Sequence, residues 1–368
     1  MAFYGGYFVM AFPAALFIKR YSYKAGILMG LGLYAAGAFM FIPASIIMKF
    51  SPFLFAYFIL TCGLSFLETS SNPYILKMGS EKTATRRLNF AQAFNPVGSL
   101  AGMFIAKELI LSKLNTATLE ERKMMSEQAL TKITASDLAI IRNPYVAIGL
   151  VILVVFIAIA LIQMPKPGQD HSIHFMDSIK RLLKNKRYSG GVIAQFFYVG
   201  AQILCWTFII HYGVSLGLTE SQAQTYNIIA MILFVSGRFI FTYLLKYILP
   251  GRLLTMLALG GILLTTGTIL LPGMYGLYCL VGISVCMSVM FPTIYGIALE
   301  GVGEDAKFGA AGLIMAILGG SVLPPLQGAI IDLNTVFSFS AIRISFVLPL
   351  ICFVVVSIYG YRIIKKFA

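Results

Sequence analysis

At 368 residues, with 59% hydrophobic and only 11% charged side chains, the chain departs from the composition of an ordinary soluble domain. Its mean hydropathy of +0.86 comes from runs long enough to cross a hydrocarbon core about 30 Å thick, so bundled membrane helices are the expected fold class. The net charge of +14 lies in alternate loops, which makes it a topology signal and excludes nucleic acid as the expected partner.

In chain order, hydropathy with turn and charge breaks predicts spans over residues 4–18, 25–48, 52–76, 88–112, 143–164, 189–213, 222–245, 252–271, 274–299, 308–331 and 341–361, eleven in all. The first, at Met1, runs straight into apolar residues without a basic region, so no signal peptide is expected. Gly26 and Gly30 in the second span, and Gly98 and Gly102 in the fourth, have the small-xxx-small spacing of close helix packing. Polar segments fall at 113–142, helical in pattern from Leu119 to Leu138, and at 165–188. The latter holds the basic amphipathic stretch Lys180-Arg181-Leu182-Leu183-Lys184-Asn185-Lys186-Arg187, read as a linker helix at the membrane surface. Gly319-Gly320 and Pro324-Pro325 are expected to bend or unwind the tenth span. His171, His174 and His211 sit at loops or ends, without partners that would suggest catalysis. Cys62, Cys205, Cys279, Cys286 and Cys352 all lie inside apolar runs with no CxxC pair, so neither disulfides, a metal site nor a cofactor is expected.

Loops alternating from Lys19-Arg20 onward hold most of the Lys and Arg, so that set is expected to be cytoplasmic, with the C-terminus inside and Met1 outside. The two halves repeat. Ile18-Lys19-Arg20-Tyr21 and Phe41-Ile42-Pro43 have counterparts at Leu245-Lys246-Tyr247-Ile248 and Leu270-Leu271-Pro272, an offset of about 228 residues. Applied to 189–213, that offset falls before residue 1. The expectation is therefore a five-span bundle over 1–164 that lacks an opening helix, a basic linker over 165–188, and a six-span bundle over 189–368. Parallel halves of this kind describe the major facilitator transporters.

The polar residues inside the apolar runs carry the functional reading. Glu68, in Leu67-Glu68-Thr69-Ser70-Ser71-Asn72-Pro73-Tyr74, sits near the end of the third span. A lone ionisable group there costs roughly 2.5–3.5 kcal/mol on insertion scales and marks a solute or proton pathway by default. Burial disfavours the charged form of a carboxylate, which suits a proton carrier; the competing reading is a carboxylate held neutral or paired without moving protons. Asn72 lies one helical turn beyond it, and Gln92 and Asn95 are spaced to share one face of the next span. Gln195, Tyr198, Gln202 and Trp206 form a single stripe in the span 189–213, combining amides that can read hydroxyl pairs with the chain's only tryptophan, whose ring can pack on a pyranose. The competing reading of that stripe is bridging between helices of the bundle. Arg238, in Ser236-Gly237-Arg238-Phe239, is expected near a cytoplasmic helix end, bracing a gate.

Five stretches, in order along the chain, resemble the fucose permease family, the fucose–proton symporter branch of the major facilitator superfamily: Ser22-Tyr23-Lys24-Ala25-Gly26-Ile27, Leu67 to Pro73, Arg87-Leu88-Asn89-Phe90-Ala91-Gln92, Ala194 to Gln202, and Phe291-Pro292-Thr293-Ile294. The resemblance implies a monosaccharide substrate, L-fucose first and galactose, glucose or N-acetylglucosamine next, with a proton as driving ion. It implies alternating access of two halves in a bacterial inner membrane, monomeric and surrounded by lipid, and gives Glu68 the coupling role. Two departures stand out. The family's first-helix carboxylate and asparagine have no counterpart, and Met290-Phe291 stands where fucose-specific members carry a more polar pair. The competing class is a non-transporting sugar sensor or an inactive truncated fragment. An enzyme is not expected, since no nucleophile–base constellation appears.

Overall fold

The structure is a computed structural model that describes residues 2–165, 175–333, 335–336 and 339–367. Residues 166–174, with His171 and His174 and much of the expected linker, lie outside the described residues. The chain is helical almost throughout. In order it forms α1 (Ala2–Arg20), α2 (Tyr23–Phe39), α3 (Phe41–Ile47), α4 (Phe50–Lys77), α5 (Ala84–Gln92), α6 (Phe94–Ile105), α7 (Leu119–Met124), α8 (Glu127–Leu161) and α9 (Phe175–Lys184). There follow α10 (Lys186–Ser215), α11 (Glu220–Leu244), α12 (Pro250–Leu270), α13 (Met274–Met287), α14 (Met290–Leu299), α15 (Ala306–Met315), α16 (Gly319–Ile331), α17 (Ala341–Ile344) and α18 (Val347–Phe367). Two-residue strands at Thr335–Val336 and Phe339–Ser340 pair antiparallel before α17.

Nine helices among the described residues are long and apolar enough to cross a membrane. Of the two other expected spans, residues 4–18 lie in α1, and residues 88–112 are broken at Ala93 into α5 and α6, then a π turn at Ala106–Leu111. The polar segment 113–142 is not one separate helix. Thr118 and Glu121 make a capping box for short α7, and Ser126 caps a second start from which α8 runs unbroken through 35 residues. The basic stretch 180–187 is likewise split: α9 ends at Lys184, and Asn185 accepts from the N–H groups of Arg187 and Tyr188 to start α10. In the tenth span the irregular turn falls at Ala316–Leu318, ahead of the glycine pair, and α16 carries both prolines.

Contacts group the chain into two compact units, Met1–Ser71 with Val97–Gln169, and Asn72–Pro96 with Asp170–Ala368. In the first, α2 packs along α8 and against α4. Gly30 and Gly63 meet backbone to backbone: a Cβ on Gly63 would stand 2.5 Å from the Tyr34 nitrogen and 2.6 Å from the Gly30 oxygen. Gly26, the other member of that expected motif, sits against Ile18 and Ser70. The matching expectation for Gly98 and Gly102 is not met, since nothing among the described residues lies within 4 Å of where either Cβ would stand. Their helix α6 leaves Gly98, Ser99, Ala101 and Gly102 exposed, so the spacing alone brought no partner backbone to them. Lys24 closes the far end of α8, its Nζ donating to the carbonyls of Ala160 and Ile162 at 2.8 and 2.7 Å.

In the second unit α10 is the central post, packed by α11, α13, α14, α16 and α18. Here α5 lies against α14 and α11. A Cβ on Gly296 would stand 2.6 Å from Thr85 Oγ1, so a glycine is what lets α14 approach α5. Arg87 fastens the end of α4 to the loop before α5, donating to the carbonyls of Ile75, Leu76 and Ser80 and to Thr83 Oγ1. The guanidinium thereby ties last-turn carbonyls of α4 to the loop that follows, so Arg87→Ala is expected to lose about 2–3 kcal/mol of stability. The unfolding temperature in detergent checks this; an unchanged value would mean that water replaces the guanidinium without penalty. Acidic residues between α14 and α15 gather the surrounding cations: Arg181 of α9 grips Asp305 through two 2.7 Å bonds, Arg187 pairs with Glu300 at 3.0 Å, and Lys77 reaches Glu304 at 3.9 Å. The Asp305 bond also raises the pKa of Arg181.

Candidate functional site

Two helix breaks shape the polar interior of the second unit. The first separates α5 from α6 at Ala93, so Gln92 ends one helix and Asn95 lies in the first turn of the next. Their expected common helical face is therefore interrupted, because Pro96 has no N–H to continue the ladder. Gln92 Nε2 donates to Asn72 Oδ1 at 2.9 Å; Asn72 is buried, Gln92 half-buried and Asn95 exposed. The second break separates α13 from α14 at Ser288 and Val289, ahead of Pro292.

The stripe on α10 runs beside this second break and divides in two. Gln195 and Tyr198 are fully buried, whereas Gln202 and Trp206 are half-buried. The Tyr198 hydroxyl donates to the Met287 carbonyl at 2.9 Å, and its oxygen accepts from the Phe291 N–H. A side-chain hydroxyl thus stands in for the helical rung between residues 287 and 291, a recognised cause of kinking. Trp206 Nε1 donates to Ser284 Oγ at 3.2 Å, and its ring meets Phe234 edge-on at 4.9 Å. Gln195 is different: neither its Nε2 nor its Oε1 finds a hydrogen-bond partner among the described residues. An unmet buried amide costs about 1–3 kcal/mol, so its retention asks for a reason.

Arg238 is 4% exposed on α11. Its Nε donates to the Ser288 carbonyl, its Nη1 to the Gln92 carbonyl at 2.9 Å, and its guanidinium lies 4.7 Å from the Phe234 ring centre. Trp206, Phe234, Arg238, Gln92 and Asn72 thereby form one continuous chain of contacts. Glu68 belongs to the first unit. It is half-buried on α4 beside buried Thr69 and Ser70, and buried Tyr7 of α1 lies within its electrostatic reach. Ser65 Oγ, three residues earlier on α4, donates to the Tyr7 carbonyl at 3.1 Å.

Residues 1–324 match the profile of the Major Facilitator Superfamily. The chain is 53% identical over 369 residues to the L-fucose-proton symporter of Haemophilus influenzae, covering 98% of this chain and 86% of that protein. It belongs to the fucose–proton symporter branch of the major facilitator superfamily. It is also 30% identical over 361 residues to the glucose/galactose transporter of Brucella abortus, covering 97% of this chain and 82% of that one. Among solved structures, the E. coli fucose:proton symporter superposes with a TM-score of 0.92 at 34% identity, over 98% of this chain and 88% of that chain. This family member is thus a multi-pass membrane protein with the major facilitator fold, and its relatives transport rather than transform.

Sequence reasoning about this major facilitator overlooked several residues. Asn89 donates through Nδ2 to Thr85 O at 2.9 Å and to Thr293 Oγ1 at 3.2 Å, so two of the family-like stretches, Arg87 to Gln92 and Phe291 to Ile294, pack directly on each other. Ser284, Ser288, Phe234 and Tyr7 likewise make contacts that spacing and hydropathy do not single out. The available signal was Pro292, whose missing N–H marks the carbonyl four residues earlier as one that needs a partner.

Proposed function

We propose that this chain performs proton-coupled monosaccharide uptake by alternating access, with L-fucose the preferred sugar and galactose, glucose and N-acetylglucosamine the competitors to test. The observation that carries the reading is the 53% identity, over 98% of the chain, to an L-fucose-proton symporter. The 30% identity to a glucose/galactose transporter and the Met290-Phe291 pair keep the other sugars in the test. In this reading the bundles 1–164 and 189–368 are the moving halves and 165–188 their linker. The protein sits as a monomer in a bacterial inner membrane with its C-terminus cytoplasmic, as the Lys/Arg bias favours, and catalyses no bond-making chemistry.

Glu68 is the proton-linked residue. Asn72, Gln92, Asn95, Gln202 and Trp206 contact the sugar, and Gln195 is an amide that gains partners only when its surroundings rearrange during transport. Tyr198 contributes by holding the 287–291 break beside them, its hydroxyl already committed to backbone. Arg238 braces the same region. Counterflow of labelled L-fucose in proteoliposomes tests the reading. Exchange that unlabelled fucose suppresses more strongly than galactose, glucose or N-acetylglucosamine is the expected result, and absence of exchange by folded, inserted protein would overturn it. Gln195→Leu makes a sharper test. Removing an unmet amide should raise stability by about 1 kcal/mol, while the sugar KM rises about tenfold through loss of a hydroxyl partner. A stabilised variant with wild-type KM would remove Gln195 from the site.

A further inference from the structure

A proline inside a helical run removes one hydrogen bond, that from its own nitrogen to the carbonyl four residues earlier, and its ring pushes that carbonyl aside. Pro96 does this to Gln92, and Pro292 does it to Ser288. The freed oxygens belong to different helices, α5 and the end of α13, yet both accept from the one guanidinium of Arg238, Gln92 O from Nη1 and Ser288 O from Nε. We propose that Arg238 is a positioning residue that replaces, with a single fork of donors, the two helical hydrogen bonds removed by Pro96 and Pro292, and thereby holds the Gln92–Pro96 and Ser288–Pro292 segments at a fixed spacing.

The chemistry of the side chain suits this task. Guanidinium is planar, carries five N–H donors in fixed directions and stays charged, so it can serve two carbonyls at once; a lysine ammonium on a flexible stem is a point donor. The cation is offset inside the unit by two carbonyl dipoles and by the face of Phe234. The rung between residues 287 and 291 at the same break is filled independently by the Tyr198 hydroxyl, a second side-chain replacement beside that of Arg238. Function follows from what the two segments carry. Gln92 bonds Asn72 and leads into Asn95, and the Ser288 segment leads into Phe291, so their spacing sets where the amides stand.

The proposal rests on the transport reading for one of its two readouts only. Arg238→Met is made in the wild type and in the Pro96→Ala/Pro292→Ala double variant, where Ala N–H groups can reach the Gln92 and Ser288 carbonyls and the helices can close without help. In the wild type, the Arg238→Met change is expected to lower the detergent unfolding temperature by several degrees and to raise the counterflow KM about tenfold, with a smaller change in maximal rate. In the alanine background both effects should shrink by half or more, the non-additivity that a shared interaction produces. Equal losses in the two backgrounds would overturn the proposal, because an arginine acting on sugar, proton or general packing has no reason to depend on those prolines. Should Arg238→Met fail to insert, Arg238→Lys in the same two backgrounds carries the same comparison, and each single proline variant replaces the double if that one fails. The unfolding readout needs no sugar. A wild type that exchanges none of the four sugars sinks the transport reading while leaving the thermal coupling to decide this one.

Discussion

Glu68→Gln is expected to abolish uphill sugar accumulation while leaving counterflow within about threefold of wild type. Gln keeps the shape and hydrogen-bonding reach of the side chain but cannot take up and release a proton. Counterflow moves no net proton, so it survives; accumulation is driven by the proton gradient, so it does not. The size of the effect follows from the coupling. With one proton per sugar, a gradient of one pH unit is a driving force of about 1.4 kcal/mol, so wild type can concentrate sugar roughly tenfold and the variant not at all. The sign is fixed as well. Wild-type accumulation grows as the outside is made more acidic than the inside, and the variant should be flat across the same gradients. Accumulation by Glu68→Gln with wild-type pH dependence would remove the residue from the coupling role, and loss of counterflow as well would mean that its carboxyl is needed for sugar rather than for the proton.

The second large effect is structural. Gly63→Val is expected to cost about 3 kcal/mol or more, or to prevent accumulation of folded protein altogether. The new side chain would start 2.5 Å from the Tyr34 nitrogen and 2.6 Å from the Gly30 oxygen, both backbone atoms that cannot swing away. Without a hydrophobic drive between helices in lipid, this kind of backbone approach is what holds α2 to α4. Gly98→Val serves as control. With nothing among the described residues within 4 Å of its Cβ position, it should change stability by less than about 0.5 kcal/mol. Comparable losses at the two positions would show that the α2–α4 approach is not a source of stability.

The two glycine pairs illustrate how far sequence reaches. Gly26/Gly30 and Gly98/Gly102 have the same spacing, yet only the first pair is packed in the way that spacing suggests. Spacing says which residues share a face; it does not say whether another backbone comes to that face. The helical fold and most spans were legible because an apolar run must satisfy its own hydrogen bonds wherever lipid surrounds it. The break at Ala93 was not, because Pro96 only removes one hydrogen bond, and it is the partners found by the freed carbonyl that make the interruption stable.

By itself, the sequence determined the class of this protein: membrane-spanning and helical, with its charge sorted between loops and its family declared by stretches spread along the chain. Those properties follow from local chemistry, namely hydropathy, helical hydrogen bonding and residue identity at short spacings. Only the tertiary structure decided what the polar residues do. It joined Gln92 to Asn72, left Gln195 sealed without a partner among the described residues, committed the Tyr198 hydroxyl to backbone, and set Arg238 across two carbonyls far apart in the chain. Hydrogen bonds act over about 3 Å, and residues 92, 238 and 288 come within that distance only when α5, α11 and the α13/α14 break have packed together.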